Sequence, residues 1–145
     1  MLFRSSTSNL PASDGSRLVY NWGYATTPKS AIVRGFDGLL TYAMRDFSYN
    51  DSAWKILDQM IAWMRSNGVD VEFVLTPYHP ELFAMMERQA PIFLEIEESV
   101  RSLADALNIE IVGSYDPRVS GCVDQDFYDG MHPKERCMQK VLERR

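Results

Sequence analysis

An aspartate and a histidine lie three residues apart near the end of the chain, in residues 126–133 (DFYDGMHP). The histidine, His132, is one of only two in the sequence. If Asp129 and His132 share one turn, the carboxylate can orient the imidazole ring, and the ring can take a proton from a nucleophile. The segment therefore predicts an acid–base pair. Acyl transfer would also need a nucleophile and donors for an oxyanion.

The elements that must position this pair follow from the hydrophobic pattern. Short apolar runs predict strands over residues 1–3, 17–21, 69–75 and 109–112. Residues 114–127 are predicted to form a long loop. A first helix is predicted in parts of 30–44, and a second runs to about Ser66 from a cap at Asp51 or Ser52. Further helices are predicted over 81–107, with a break near Pro91, and over 134–145. Gly35 and Gly38 are expected to interrupt the first of these helices.

The alternation of strand and helix predicts one α/β domain over residues 1–145, with a mainly parallel sheet and helices on both faces. In such sheets, functional sites lie beyond the carboxyl ends of the strands. In the helix that follows residue 50, the apolar positions fall on one stripe and are expected to face the core: Trp54, Leu57, Ile61 and Met64.

Composition excludes several classes of function. The net charge of −5 and the pI of about 5.0 argue against nucleic-acid binding. No apolar run approaches the roughly 20 residues of a membrane span, and Met1-Leu2-Phe3 before Arg4 is not a secretion signal. The sequence assigns the chain to no compartment. No metal-ligand spacing such as CxxC or HExxH occurs, so no metal is expected.

Two cysteines, Cys122 and Cys137, flank the Asp129–His132 segment on either side. A disulfide between them would clamp the loop to the helix that follows. Spacing alone does not establish a bond, and two free thiols are the favoured interpretation.

Polar residues that follow the other predicted strands supply the remaining parts of an acyl-transfer site. Ser6 lies at a strand-to-helix turn, where a hydroxyl is exposed as a nucleophile. Gly23 offers a backbone N–H at close approach because it has no side chain in the way. Asn50 offers a side-chain amide, and the Ser6 backbone N–H would be a third donor to the oxyanion.

In this arrangement the chain resembles the SGNH (GDSL-like) hydrolase superfamily, whose four sequence blocks carry Ser, Gly, Asn and His in that order. The fourth block, with Asp three residues before His, resembles residues 129–133 (DGMHP). The third resembles residues 48–51 (SYND), with Ser48 in place of the family's Gly, and the second resembles residues 21–23 (NWG). The first, Gly-Asp-Ser, aligns with residues 4–6 (RSS), where only Ser6 matches.

The resemblance spans nearly the whole chain and implies a three-layer α/β/α sandwich of the flavodoxin-like type, with its first strand truncated. It also implies ester hydrolysis or O-acyl transfer through an acyl-serine, without metal or cofactor. Divergent branches of the superfamily involved in O-acylation of cell-surface polymers suggest a small, acetyl-like acyl group on a saccharide. Arg4, Ser5 and Ser48 depart from the pattern. They favour the alternative of a catalytically impaired domain that binds carbohydrate or a protein partner.

Each candidate residue also has a purely structural interpretation. Ser6 lies in a polar terminal run that can cap a helix, and His132 before Pro133 can be a helix-entry residue. Asn50 can be the first turn of its helix, and Gly23 ends a strand in any case.

Three further residues are weaker candidates for substrate binding. His79 follows the strand at 69–75 and lies in a loop between Pro77 and Pro80, where a rigid structural role is the commoner one. Tyr78 and Trp22 can line an acyl or sugar pocket, although aromatic residues at such positions more often pack in the core. A nucleotide or flavin binder is not supported, because the turn after the first strand has no glycine.

Overall fold

The computed structural model describes residues 29–41, 48 and 50–143. This part of the chain has mixed α/β structure, with a small two-stranded parallel sheet and mostly helices. Its elements, in chain order, are α1 (Lys29–Leu39), α2 (Asp51–Ser66), β1 (Glu72–Leu75), α3 (Pro80–Gln89), α4 (Ile92–Leu107), β2 (Glu110–Gly113), α5 (Pro117–Ser120), a 3₁₀ turn (Asp124–Asp126) and α6 (Glu135–Leu142). The strands predicted over 1–3 and 17–21 lie outside the described residues.

The two strands β1 and β2 form a parallel pair, as the alternating pattern predicts. Glu72 lies opposite Glu110 and Leu75 opposite Gly113, and α3 and α4 make the crossover between the strands. Strand β1 is shorter than the predicted 69–75. The backbone N–H of Val69 still donates to Met64 O at 3.0 Å in the turn that ends α2, so pairing starts later.

Helix α2 confirms the predicted amphipathic helix, although its cap is one residue earlier than expected. The side-chain oxygen of Asn50 accepts the backbone N–H groups of Ser52 and Ala53, at 3.0 and 3.2 Å. This arrangement satisfies two of the N–H groups that a helix start leaves without partners. On the predicted stripe, Ile61 is buried in a cluster that Leu57 and Met64 join.

Helix α1 runs without a break through both of its glycines, so the expected interruption is wrong. A glycine inside a helix costs only about 1 kcal/mol relative to alanine. Burial of Phe36 and Leu40 in a cluster with Leu82, Met86 and Ala90 offsets that cost. Docking of α1 onto α3 therefore overrides the local preference of the glycines.

The predicted break near Pro91 is confirmed between α3 and α4. The loop predicted over 114–127 is only partly irregular, because it contains α5 and the 3₁₀ turn. Asp116 caps α5 by accepting the N–H of Arg118 at 2.8 Å, and Gly121 ends it at φ 70°. The last helix begins close to the predicted start, at Glu135.

Cys122 and Cys137 are joined by a disulfide, so the expectation of two free thiols is wrong. Both are buried in a small cluster with Phe127. The contact depends on how α6 folds back onto the end of α5, where Lys140 Nζ donates to Gly121 O at 2.8 Å. That tertiary arrangement cannot be inferred from a spacing of 15 residues.

No helix within residues 29–41 and 50–143 is both long and apolar enough to cross a membrane.

Candidate functional site

Asp129 and His132 are brought together as the sequence predicts. The ring nitrogen Nδ1 of His132 lies 2.9 Å from Asp129 Oδ1 and 2.8 Å from Asp129 Oδ2. Because an ionised carboxylate only accepts hydrogen bonds, Nδ1 carries the proton. The other ring nitrogen, Nε2, is then free to act as a base. The His132 side chain is 72% exposed, whereas that of Asp129 is 27% exposed.

The Asp129 carboxylate is held ionised by its local contacts. Burial acts to raise its pKa, but the backbone N–H of Met131 and both the ring and the backbone N–H of His132 donate to it. These donors hold the pKa of Asp129 below its ordinary value. The oxygen Oδ1 therefore fixes the local turn, while the carboxylate also orients the ring.

The pair lies on a short hairpin, residues 127–133, which we call the dyad hairpin. Its ends meet in an antiparallel bridge between Phe127 and Pro133, and the Tyr128 N–H donates to His132 O at 2.9 Å. These contacts close the chain around Asp129, so the geometry of the acid–base pair depends on the hairpin staying closed.

A buried carboxylate anchors the dyad hairpin to α6. Asp126 is 2% exposed and accepts from Lys140 Nζ at 2.7 Å and from the Val123 N–H at 3.1 Å. Burial acts to raise its pKa, but Lys140, the Val123 amide and Arg136 hold that pKa below its ordinary value. The Asp126 carbonyl also accepts the Lys134 N–H at 2.7 Å.

The tip of the dyad hairpin rests on the loop that follows β1. The His79 N–H donates to Gly130 O at 2.9 Å. A Cβ atom on Gly130 would lie 2.7 Å from Leu82 Cδ2 and 3.0 Å from Phe36 Cε1, so the contact leaves no room for a side chain. The Tyr78 N–H donates to Tyr115 O at 3.0 Å. The segments that follow β1 and β2 thus meet, as expected for a parallel sheet.

His79 itself is 2% exposed, which favours its structural interpretation over substrate contact. Its ring lies between those of Phe36 and Phe127, with centroid distances of 5.1 and 5.4 Å. Its Nδ1 accepts the Glu81 N–H at 3.2 Å and so caps α3.

Tyr78 is half-buried, and its ring packs edge-on against Tyr115 at 5.4 Å. Burial, with a smaller contribution from Tyr115, raises the pKa of Tyr78 to about 12. The phenol is therefore neutral at physiological pH, and the packing interpretation fits its environment.

The remaining candidates are placed differently. Asn50 caps α2 through its side-chain oxygen, an arrangement that engages its acceptor and not its amide donor. The predicted nucleophile Ser6 and the candidates Trp22 and Gly23 lie outside the described residues.

Sequence reasoning missed the parts that hold the pair in place. The buried anchor Asp126 was not among the predicted site residues. The contact of Gly130 with Phe36 and Leu82 was also missed. The cysteines on either side of the segment were the one available signal, because a disulfide there encloses it.

Neither the comparison with protein-family models nor those with curated proteins and solved structures found a match for this chain. An oriented imidazole with a free Nε2 is a general base and acid for a hydroxyl nucleophile. In the part of the chain that the structure describes, no group of three or more side chains is placed to hold a metal ion.

Proposed function

We propose that this protein is a serine-dependent ester hydrolase or O-acyltransferase of the SGNH type, acting on a small, acetyl-like ester on a saccharide. The proposal includes a complete fold of three α/β/α layers around a flavodoxin-like sheet. The observation that supports it is the contact of both Asp129 oxygens with His132 Nδ1 beside a solvent-facing ring.

In this mechanism the Ser6 hydroxyl attacks the acyl carbonyl while His132 Nε2 takes its proton. The Ser6 and Gly23 amides and the Asn50 side chain donate to the oxyanion that forms. The intermediate collapses to an acyl-serine as the bond to the leaving alcohol breaks, and His132 returns the proton to that alcohol. Water, or an acceptor hydroxyl, then repeats the sequence and releases Ser6.

Asp129 acts through the ring and not on the substrate. Its carboxylate accepts the Nδ1 proton, which leaves the lone pair of Nε2 for the serine. It also stabilises the imidazolium that forms when Nε2 is protonated. The lowered pKa of Asp129 keeps this partner ionised at neutral pH.

The test is hydrolysis of p-nitrophenyl acetate by the wild-type protein and by His132→Ala. A base that transfers protons contributes about 10²–10⁴-fold to the rate, so kcat/KM should fall by that factor. Gln139→Ala is the control, because this exposed side chain on α6 donates to Glu135 of the same helix and belongs neither to the pair nor to its anchor. Equal rates for His132→Ala and wild type would contradict the proposal.

A second candidate function follows from the sequence departures at Arg4, Ser5 and Ser48. A domain that has lost turnover would bind a saccharide or a protein without releasing acyl groups. Calorimetric binding of an acetylated saccharide, with no acetate released on long incubation, would select this function over hydrolysis.

A further inference from the structure

We propose that His79 is a positioning residue of the candidate site. In its neutral form it holds the dyad hairpin closed, and on protonation the hairpin loosens. The inference rests on the proposed function only for what the hairpin does. The closure itself is a property of the fold and can be measured without any substrate.

Three contacts make His79 the junction between separate elements. Its backbone N–H holds the hairpin tip at Gly130 O, at 2.9 Å. Its ring packs against Phe36 of α1 and Phe127 at the first position of the hairpin. Its Nδ1 caps α3 by accepting the N–H of Glu81. A change in this one side chain therefore acts on α1, α3 and the hairpin together.

The cap requires one particular protonation state. Nδ1 can accept the Glu81 N–H only through a lone pair, so the ring is neutral with its proton on Nε2. Protonation would place an N–H at Nδ1 opposite the N–H of Glu81. The cap would be lost, and a charge would be buried between two phenylalanine rings.

The charged groups around His79 come from every element packed against it. Burial is the largest influence and lowers the His79 pKa from its ordinary 6.5. Asp124 of the 3₁₀ turn, Glu81 of α3 and Asp129 of the hairpin act to raise it, while Lys29 of α1 acts to lower it. Lys29 also forms ion pairs with Glu81 and Asp124, which offsets part of the effect of those carboxylates.

The direction of the pH effect follows from linkage. A base whose pKa is lowered by folding is neutral in both states above about pH 6.5, and there the closed form has its full stability. As the pH falls below 6.5, the opened form takes up a proton first. Opening then becomes more favourable, by up to about tenfold per pH unit, until the pH passes the lowered pKa.

The test is amide hydrogen exchange between pH 5 and 8, corrected for intrinsic exchange rates. The Tyr128 N–H, which bonds to His132 O, reports hairpin closure. The reference is the Ile109 N–H, which bonds to Ala104 O in the core cluster that contains Ile61. In the wild type, protection of the Tyr128 N–H should decrease as the pH is lowered, by up to about tenfold per pH unit. This decrease should be larger than that of the Ile109 N–H.

Two variants separate titration from packing. His79→Asn keeps an acceptor for the Glu81 N–H and cannot titrate, so its Tyr128 protection should be independent of pH in this range. His79→Phe keeps a ring between Phe36 and Phe127 and should be equally independent of pH. The control His132→Ala removes the other histidine and should keep the pH dependence of the wild type.

Other results would overturn the inference. It is wrong if the pH dependence persists in His79→Asn and His79→Phe, if it disappears in His132→Ala, or if Ile109 changes in parallel with Tyr128. A wild-type protein without esterase activity, whose Tyr128 amide behaves as expected, would contradict the proposed function and support the positioning role.

Discussion

The two histidines of the chain follow the two described strands and lie next to prolines, yet they have opposite environments. His79 is 2% exposed between two phenylalanine rings and accepts from a backbone N–H through Nδ1. The His132 side chain is 72% exposed and donates from Nδ1 to a carboxylate. The partner of Nδ1 fixes a different tautomer in each, and so a different role. In His79 the backbone N–H of Glu81 donates to Nδ1, so the ring is neutral and has a structural role. In His132 the Asp129 carboxylate accepts the Nδ1 proton, which leaves Nε2 to act as a base.

The largest expected effect tests the carboxylate side of this contrast. Asp129→Asn should lower kcat/KM for p-nitrophenyl acetate by about 10²–10⁴-fold, because the amide can no longer stabilise an imidazolium or fix its tautomer. The variant keeps an oxygen for the N–H groups of Met131 and His132, so its fold should persist.

The matched control for this substitution is Asp124→Asn, which removes a nearby carboxylate that pairs with Lys29 and not with His132. It should hydrolyse the ester at the wild-type rate. If both variants lost activity equally, a general effect of negative charge would replace the specific role of Asp129.

The next effect tests the buried side. His79→Ala should lower the free energy of unfolding by about 2–3 kcal/mol, because it leaves a cavity between Phe36 and Phe127 and removes the cap of α3. His132→Ala should change it by no more than about 0.5 kcal/mol, because the ring is mostly exposed. Urea unfolding followed by circular dichroism measures both. Equal losses of unfolding free energy in the two variants would contradict a buried, structural His79 and an exposed His132.

The smallest effect concerns the contact between the two segments. Gly130→Ala should cost about 1–3 kcal/mol, because the added methyl would press on Leu82 and Phe36. Gly35→Ala and Gly38→Ala in α1 are matched controls, since an added Cβ meets nothing within 4 Å there. Those two should stabilise the protein by about 0.5–1 kcal/mol, because alanine is the better helix former. A Gly130→Ala protein as stable as these controls would contradict the packed tip.

Features set by neighbours in the sequence were predictable. The stripe that includes Leu57, Ile61 and Met64 gave α2, the proline at 91 gave the break between α3 and α4, and the three-residue spacing gave the contact between Asp129 and His132. Each of these depends on local periodicity or on a single turn.

Features set by distant segments were not predictable in the same way. Phe36 contacts His79 although it lies 43 positions earlier in the chain. Burial of Phe36 on α1 also outweighs the low helix propensity of Gly35 and Gly38. The disulfide depends on α6 folding back onto the end of α5. Such contacts follow from packing, and packing has no fixed sequence spacing.

The central claim is that His132, oriented by Asp129, activates Ser6, and covalent labelling tests it most directly. A fluorophosphonate reagent should add one phosphonyl group per wild-type chain, and peptide mapping should place it on Ser6. Ser6→Ala should remove the adduct, its neighbour Ser5→Ala should not, and His132→Ala should slow labelling by about 10²–10⁴-fold. A wild-type protein without an adduct on Ser6, or one labelled equally fast without His132, would contradict the claim.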